Sequence, residues 1–75
     1  MVVEYTGHAR REMANQGITE DEVDVVLGTY FERHFDKKGN RRLTDVVGGR
    51  YLTVVVARGS RPPRVITAWS EGRVE

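Results

Sequence analysis

The chain has 75 residues, enough for one small domain. It contains no cysteine, which excludes a disulfide scaffold and a thiolate metal site, and its longest apolar run, residues 54–57, is far too short to span a bilayer. No secretory signal is visible at the N-terminus, so we expect a cytoplasmic protein with no membrane association. A domain of this size buries only about 60% of its unfolded surface, and a homodimer or a bound partner would add to that burial.

Charge is distributed unevenly along the chain, although the net charge is only +1. Residues 1–32 carry two basic and seven acidic side chains, whereas residues 33–64 carry nine basic and two acidic. Ten of the twelve basic residues are arginine, whose planar guanidinium suits phosphate. The asymmetry favours an anionic partner for the second half. The alternative is that a GC-rich genome favours arginine codons and that charged strands simply stay soluble.

Two helices are predicted in the first half. Thr6 is positioned to cap a first helix over about residues 7–16, and Gly17 stands where a left-handed residue ends a helix. Thr19 and Glu22 have the spacing of a capping box, which predicts the start of a second helix. Apolar residues then recur at the spacing of one buried helix face, namely Val23, Val26, Leu27 and Tyr30.

The second half predicts a small antiparallel sheet of three or four strands. The predicted strands are residues 31–36, 41–47, 50–58 and 64–69. Gly48 and Gly49 predict a two-residue hairpin loop. We therefore expect an α+β fold with two N-terminal helices packed on one face of the sheet. The whole chain, residues 1–75, forms one domain, with a core over about 6–69 and a polar tail at 70–75.

The hairpin loop sets a register for the two strands beside it. In that register the face toward the helices carries Leu43, Leu52, Val54 and Val56. The opposite face carries Thr44 across from Thr53, a pair that fits a solvated surface where a ligand could lie. The last strand has two possible registers. A four-residue loop before it turns Thr67 and Trp69 toward the helices, and a loop one residue longer turns them outward.

Several segments resemble a known family. They are His8-Ala9-Arg10-Arg11-Glu12-Met13, then Gln16-Gly17-Ile18-Thr19-Glu20-Asp21-Glu22-Val23, and the strand Val65-Ile66-Thr67-Ala68-Trp69. Together they resemble the domain-of-unknown-function family 4258, over about residues 6–69. The helical segment is also similar to the BrnT toxins, and the order of elements is similar to the RelE-type toxins, which are α+β ribonucleases encoded beside an antitoxin.

The resemblance implies a RelE-like fold and a metal-independent endoribonuclease that acts on RNA, with a cognate antitoxin as partner. The chain is shorter than RelE, has only two lysines, and lacks a tyrosine after the last strand. These departures argue against ribosome-dependent cleavage of the RelE kind.

Three residues are candidates for catalysis. His8 is the candidate acid–base group, because imidazole titrates near neutral pH, and Glu12 follows one helical turn later. Arg42 is expected on the open side of the sheet, where it would stabilise phosphate charge. Thr67 is a position to which the resemblance points, with a hydroxyl that would bind a phosphate oxygen.

Further residues are candidates for RNA binding, through charge or through base stacking. They are Arg41, Tyr51, Arg58, Arg61, Arg64 and Trp69. Each has a structural alternative: the arginines as solvated charges, Trp69 as a core residue, and His8 as an exposed helix residue. His34 is interpreted as an ordinary strand histidine that projects opposite Arg33 and Phe35. We expect no metal and no cofactor.

Three functions remain open on the sequence alone. The first is an endoribonuclease toxin whose basic sheet face is covered by an antitoxin. The second is a non-catalytic module of the same fold that binds RNA or a protein. The third is a domain that binds a small molecule.

Overall fold

The computed structural model describes residues 2–73, in which two helices pack on one face of a five-stranded sheet. The elements are, in chain order, β1 (Glu4–Tyr5), α1 (Gly7–Gln16), α2 (Glu20–Thr29), β2 (Glu32–Phe35), β3 (Arg41–Val47), β4 (Arg50–Val56) and β5 (Arg64–Arg73). The strands lie in the order β1-β5-β4-β3-β2, so β1 and β2 are the two edges. The α+β class predicted from the sequence is confirmed.

The sheet has more strands than the sequence predicts, and it is mixed rather than antiparallel. β1 pairs in parallel with β5 and becomes a fifth strand, where three or four antiparallel strands are expected. Two backbone hydrogen bonds hold it, from Glu4 N to Pro63 O at 2.8 Å and from Thr6 N to Val65 O at 3.0 Å. Because a two-residue strand has no alternating pattern, the sequence carries no signal for it.

β5 is also longer than predicted, because it continues past Trp69 to Arg73. Ser70 pairs with Leu52 and Arg73 pairs with Arg50 on β4. Residues 70–73 therefore belong to the sheet, although the sequence places them in a polar tail. The remaining two residues of that tail, 74 and 75, lie outside the described residues.

Both helices begin and end as local rules predict. The Thr6 hydroxyl accepts a hydrogen bond from Ala9 N, and Gly17 ends α1 with φ at +65°. In α2 the capping box is complete. The Thr19 hydroxyl accepts from Glu22 N at 3.1 Å, and Glu22 Oε1 accepts from Thr19 N at 3.0 Å. These contacts satisfy amide groups that a helix N-terminus leaves unpaired.

The core lies between the helices and the face of the sheet that they cover, which we call the covered face. The hairpin register is confirmed, with Leu43 opposite Val54 and Thr44 opposite Thr53. The fully or almost fully buried core comprises Ala9, Met13, Ile18, Val23 and Val26 from the helical half and Leu43, Leu52, Val54, Val56, Val65 and Ala68 from the sheet. Burial of each valine or leucine contributes about 1.5–3 kcal/mol.

Arg50 ties the helical layer to the covered face. Its Nη1 donates to Gln16 O and its Nη2 to Gly17 O, both at 2.8 Å, where α1 leaves carbonyl groups without partners. The same Nη2 lies 3.3 Å from Glu22 Oε1 in α2. One guanidinium therefore joins β4 to the end of α1 and the start of α2.

The register between β4 and β5 slips by one residue at Ile66. Val56 pairs with Val65, as the four-residue loop requires, but Val55 pairs with Thr67. Ile66 is thus the extra residue of a β-bulge.

The bulge settles which way the end of β5 faces. After Ile66 the alternation reverses, so Thr67 and Trp69 lie on the uncovered side of the sheet and Ala68 lies under the helices with no exposed surface. The Thr6 hydroxyl donates to the Ile66 carbonyl at 3.0 Å, so the residue that caps α1 also satisfies the bulge. We call the uncovered side the open face.

Candidate active site

The open face consists of alternate residues from four strands. β2 contributes Glu32 and His34, which pair with Thr44 and Arg42 of β3. β4 contributes Thr53, which pairs with Trp69 of β5. An open depression of about 130 Å³ lies among them, lined by Glu32, His34, Arg42, Thr44, Thr53, Trp69 and Glu71. It brings an imidazole, a guanidinium, two carboxylates and an indole together.

An acid–base pair stands on the β2 side of the depression. His34 Nε2 lies 2.5 Å from Glu32 Oε1, two residues earlier on the same face of the strand. Arg42 is the direct cross-strand neighbour of His34. Both members of the pair are about half exposed, so a ligand in the depression can reach them. A carboxylate beside an imidazole orients the ring.

The floor of the depression is a satisfied hydroxyl pair. The Thr44 and Thr53 hydroxyls share a hydrogen bond of 2.9 Å, and Thr53 is only 4% exposed. Because each hydroxyl already has a partner, the groups free to react with a ligand are those on the rim of the depression.

The β5 side of the depression holds an aromatic ring and a second carboxylate. Trp69 Nε1 donates to Glu71 Oε1 at 2.7 Å, which fixes the indole from its polar edge. Next along the open face, the Phe31 and Tyr51 rings meet edge to face, with centroids 6.5 Å apart. Aromatic surface therefore continues beyond the depression toward the β3–β4 hairpin.

The opposite end of the open face is cationic. The turn between β2 and β3 and the loop between β4 and β5 touch, because Asn40 Oδ1 accepts from Arg58 N at 2.9 Å. Exposed cations on these two segments are Lys37, Lys38, Arg58 and Arg61. We call this group the basic end. Its β2–β3 turn joins the ends of the two strands on which His34 and Arg42 pair.

Asp36 shapes the basic end through hydrogen bonds to the backbone of its own turn. Its Oδ1 accepts from Lys38 N and from Asn40 N, both at 2.8 Å. Desolvation raises the pKa of Asp36, but these hydrogen bonds outweigh it and hold the pKa below its ordinary value. The carboxylate is thereby bound to the backbone of its own turn.

The structure brings together only some of the residues predicted for the site. Arg42 and Trp69 line the depression, and Tyr51 and Thr67 lie on the open face outside it. Arg58 and Arg61 belong to the basic end. Arg64 begins β5 and lies 3.7 Å from Glu4, and Arg41 pairs with Val56 on the covered face.

His8 lies apart from this group. It is exposed in the first turn of α1, within the layer that packs on the covered face, and it does not line the depression. The acid–base candidate on the open face is instead His34, which sequence reasoning treated as structural.

The sequence contains one local pattern that could have identified Glu32 and His34 as site residues. Glu32 and His34 are spaced two apart in a segment with strand alternation, which places both side chains on one face. Their cross-strand neighbours, and the approach of Glu71 from β5, depend on pairings between distant segments.

Within residues 2–73 no three histidine or acidic side chains converge as a metal site. No helix in the same range is long and apolar enough to cross a membrane. A family model described as a domain of unknown function, DUF4258, matches residues 5–70. No curated protein and no solved structure gives a match.

Proposed function

This chain belongs to the DUF4258 family, and we propose that it is a metal-independent endoribonuclease that cleaves single-stranded RNA on its open face. The observation that carries the proposal is the His34–Glu32 contact beside Arg42 in one accessible depression. An acid–base pair next to a guanidinium is what phosphodiester transfer without a metal needs.

The cleavage is an internal transesterification. The ribose 2′-oxygen attacks phosphorus and the bond from phosphorus to the 5′-oxygen breaks, which gives a 2′,3′-cyclic phosphate and a 5′-hydroxyl. Glu71 accepts the proton of the 2′-hydroxyl, and His34, oriented by Glu32, donates a proton to the leaving 5′-oxygen. Arg42 stabilises the charge that develops on the non-bridging phosphate oxygens.

The rest of the open face supports binding of a single strand. Trp69 offers an aromatic face at the rim of the depression, and stacking of one base on such a ring contributes about 1–3 kcal/mol. The basic end lies beside His34 and Arg42, where it would hold neighbouring phosphates. Stacking requires unpaired bases, so the proposed substrate is single-stranded.

The proposal assigns the acid–base role to His34 in place of His8. His34 has a carboxylate partner and a cross-strand arginine, whereas His8 stands on the first turn of α1 away from the depression. The two histidines are therefore a matched pair for experiment.

A labelled single-stranded RNA tests the proposal directly. We expect cleavage in the presence of a chelator and a 2′,3′-cyclic phosphate product. His34→Ala and Arg42→Ala should each reduce the rate by about 10²–10³-fold, and His8→Ala should leave it near wild type. An RNA with 2′-deoxyribose at the cleaved position controls for the mechanism. Equal activity of wild type and His34→Ala would contradict the proposal.

The resemblance of the helical segment to the BrnT toxins, and of the order of elements to the RelE-type toxins, suggests a biological setting for this activity. We propose that the protein is the toxin of a toxin–antitoxin pair and that the antitoxin covers the open face. Induced expression should then arrest growth, and His34→Ala should relieve the arrest while His8→Ala does not. Harmless expression of the wild-type chain would argue against the toxin setting.

A non-catalytic RNA-binding module is the second candidate. The observation that favours it is the charge of the site. Glu32 and Glu71 both line the depression and repel phosphate, while the exposed cations of the basic end lie outside it. Salt-dependent RNA binding that survives His34→Ala and is never followed by cleavage would support this candidate over the enzyme.

A further inference from the structure

The edge strand β2 has backbone groups that point away from the sheet. The hairpin closes on the pair Val47–Arg50, so odd-numbered residues of β3 bond to β4 and even-numbered ones bond to β2. The hydrogen bond from Asp36 N to Asn40 O, at 2.9 Å, follows the same alternation, because it also joins two even-numbered residues. The N–H and C=O groups of Arg33 and Phe35 therefore face outward at the edge.

Two large apolar side chains flank this edge. Phe31 is 59% exposed and Phe35 is 61% exposed, although both side chains are large and apolar. The other edge, β1, has only two residues. An edge strand with unpaired backbone groups and exposed aromatic rings is a template for pairing with another strand.

We propose that β2 pairs antiparallel with β2 of a second copy of this chain, centred on Arg33, to form a homodimer with one continuous sheet. A two-fold axis perpendicular to the sheet keeps the helices of both copies on the same side. In this register Arg33 exchanges backbone hydrogen bonds with its own counterpart, which uses the outward groups of the edge.

Charge complementarity selects this register. Glu32 of each copy faces His34 of the other on the open face, so two carboxylates and two imidazoles alternate around the axis. The register centred on His34 also uses the outward groups, but it sets histidine against histidine and Glu32 against Asp36. Like charges directly opposite one another destabilise a strand pair.

The same register sets Arg33 opposite its counterpart, which opposes association. Each Arg33 guanidinium lies 5.4 Å from the centroid of its own Phe35 ring, which draws it along its own strand. At both ends of the paired segment Phe31 of one copy comes opposite Phe35 of the other along the strands, with the Phe31 ring on the open face and the Phe35 ring on the covered side. Four partly exposed rings supply about 500 Å² of apolar surface, below the roughly 1,200 Å² of a stable dimer.

The proposal thus predicts a weak dimer whose population rises with protein concentration. It does not depend on the proposed RNA cleavage, but it places two depressions side by side, with Glu32 and His34 of both copies at the junction. The second copy therefore contributes ionisable groups beside each site.

Cysteine cross-linking tests the register, because the chain contains no cysteine of its own. Arg33→Cys places two thiols at directly opposed positions with a Cα separation of about 5.5 Å, which a disulfide can bridge. In the same dimer, two cysteines from His34→Cys lie too far apart. We expect oxidation to cross-link Arg33→Cys rapidly, and His34→Cys no faster than Asn15→Cys, an exposed control on α1.

Sedimentation of the wild-type chain over a concentration series tests association without any cysteine. Phe35→Ser should weaken the dimer by about tenfold, and Arg33→Ala should tighten it by up to about fivefold. Val2→Ser, which changes an exposed residue beside the β1 edge, should have no effect. A monomer at all concentrations, or faster cross-linking of His34→Cys than of Arg33→Cys, would overturn the proposal.

Discussion

The two faces of the sheet are built from the same strands, yet they have little in common. On the covered face, alternate residues such as Leu43, Leu52 and Val54 have at most 1% of their surface exposed. On the open face, the residues between them include the hydrogen-bonded pairs Thr44–Thr53, Glu32–His34 and Trp69–Glu71, together with two valines, Val46 and Val55. One face therefore supplies most of the stability, and the other offers groups that a ligand can reach.

The same residue types have different roles on the two faces. Arg50 donates to two helix carbonyls and contacts Glu22, whereas Arg42 lines the depression and forms no ion pair with any residue from 2 to 73. Glu22 completes a helix cap, whereas Glu32 contacts a histidine. Position in the pleat, more than residue type, decides whether an arginine or a glutamate is structural.

The largest expected difference between the two faces is in the free energy of unfolding lost when a side chain is truncated. Leu52→Ala is expected to lower the free energy of unfolding by about 2–5 kcal/mol, because it leaves a cavity under the helices. The matched change on the open face, Val46→Ala, should cost less than about 1 kcal/mol, since Val46 is 41% exposed. Urea unfolding followed by circular dichroism measures both. Equal losses would show that the open face is packed as tightly as the covered one.

The two arginines give the next largest contrast. Arg50→Ala should lower the free energy of unfolding by about 1.5–3 kcal/mol, because two helix carbonyls lose a charged donor. Arg42→Ala should change stability by less than about 0.5 kcal/mol. If Arg42→Ala proves the more destabilising of the two, the division of roles between the faces is wrong. Thermal or urea unfolding of both variants, at matched concentration, is the measurement.

The smallest effect concerns pH. The hydrogen bond from Thr19 N lowers the pKa of Glu22; partial burial opposes it, and Arg50 adds to the lowering. Because the folded pKa lies below the ordinary 4.5, Glu22 stabilises the fold above that pH, and this contribution is lost as the pH falls through the folded value. Glu22→Gln should therefore flatten the stability profile below about pH 4.5, by on the order of 1 kcal/mol.

Glu32→Gln is the control for that titration. Glu32 is half exposed and caps no helix, so its replacement should change the free energy of unfolding by less than about 0.5 kcal/mol. A profile that changes with Glu32→Gln and not with Glu22→Gln would reverse the assignment.

Local rules were enough to predict the helices and the central hairpin. A helix cap depends on residues three apart, and the two-residue loop at Gly48 and Gly49 depends on positive φ at both positions, here +62° and +80°. The pairing of Thr44 with Thr53 followed from that loop alone. In each case the signal lies within about ten residues of the structure that it predicts.

The site was less predictable because it depends on distant segments. Arg42 and Trp69 were identified from the residues, but their approach requires β3, β4 and β5 to pair in particular registers. His34 comes to lie beside Arg42 only because β2 pairs with β3. The strand β1 and the extension of β5 to Arg73 have no local pattern that would predict them.

The single extra residue at Ile66 also constrains how this family can vary. Insertions within the preceding loop change its length but not the faces of β5, provided that Val56 still pairs with Val65. Deletion of Ile66 would remove the bulge and leave Trp69 opposite Thr53, whereas the present number of residues, run as a regular strand from Val65, would put the indole into the space that Ala68 fills beneath α1. A sequence of the present length therefore keeps Trp69 in the depression only if it keeps the bulge, and a sequence one residue shorter after Val65 needs no bulge.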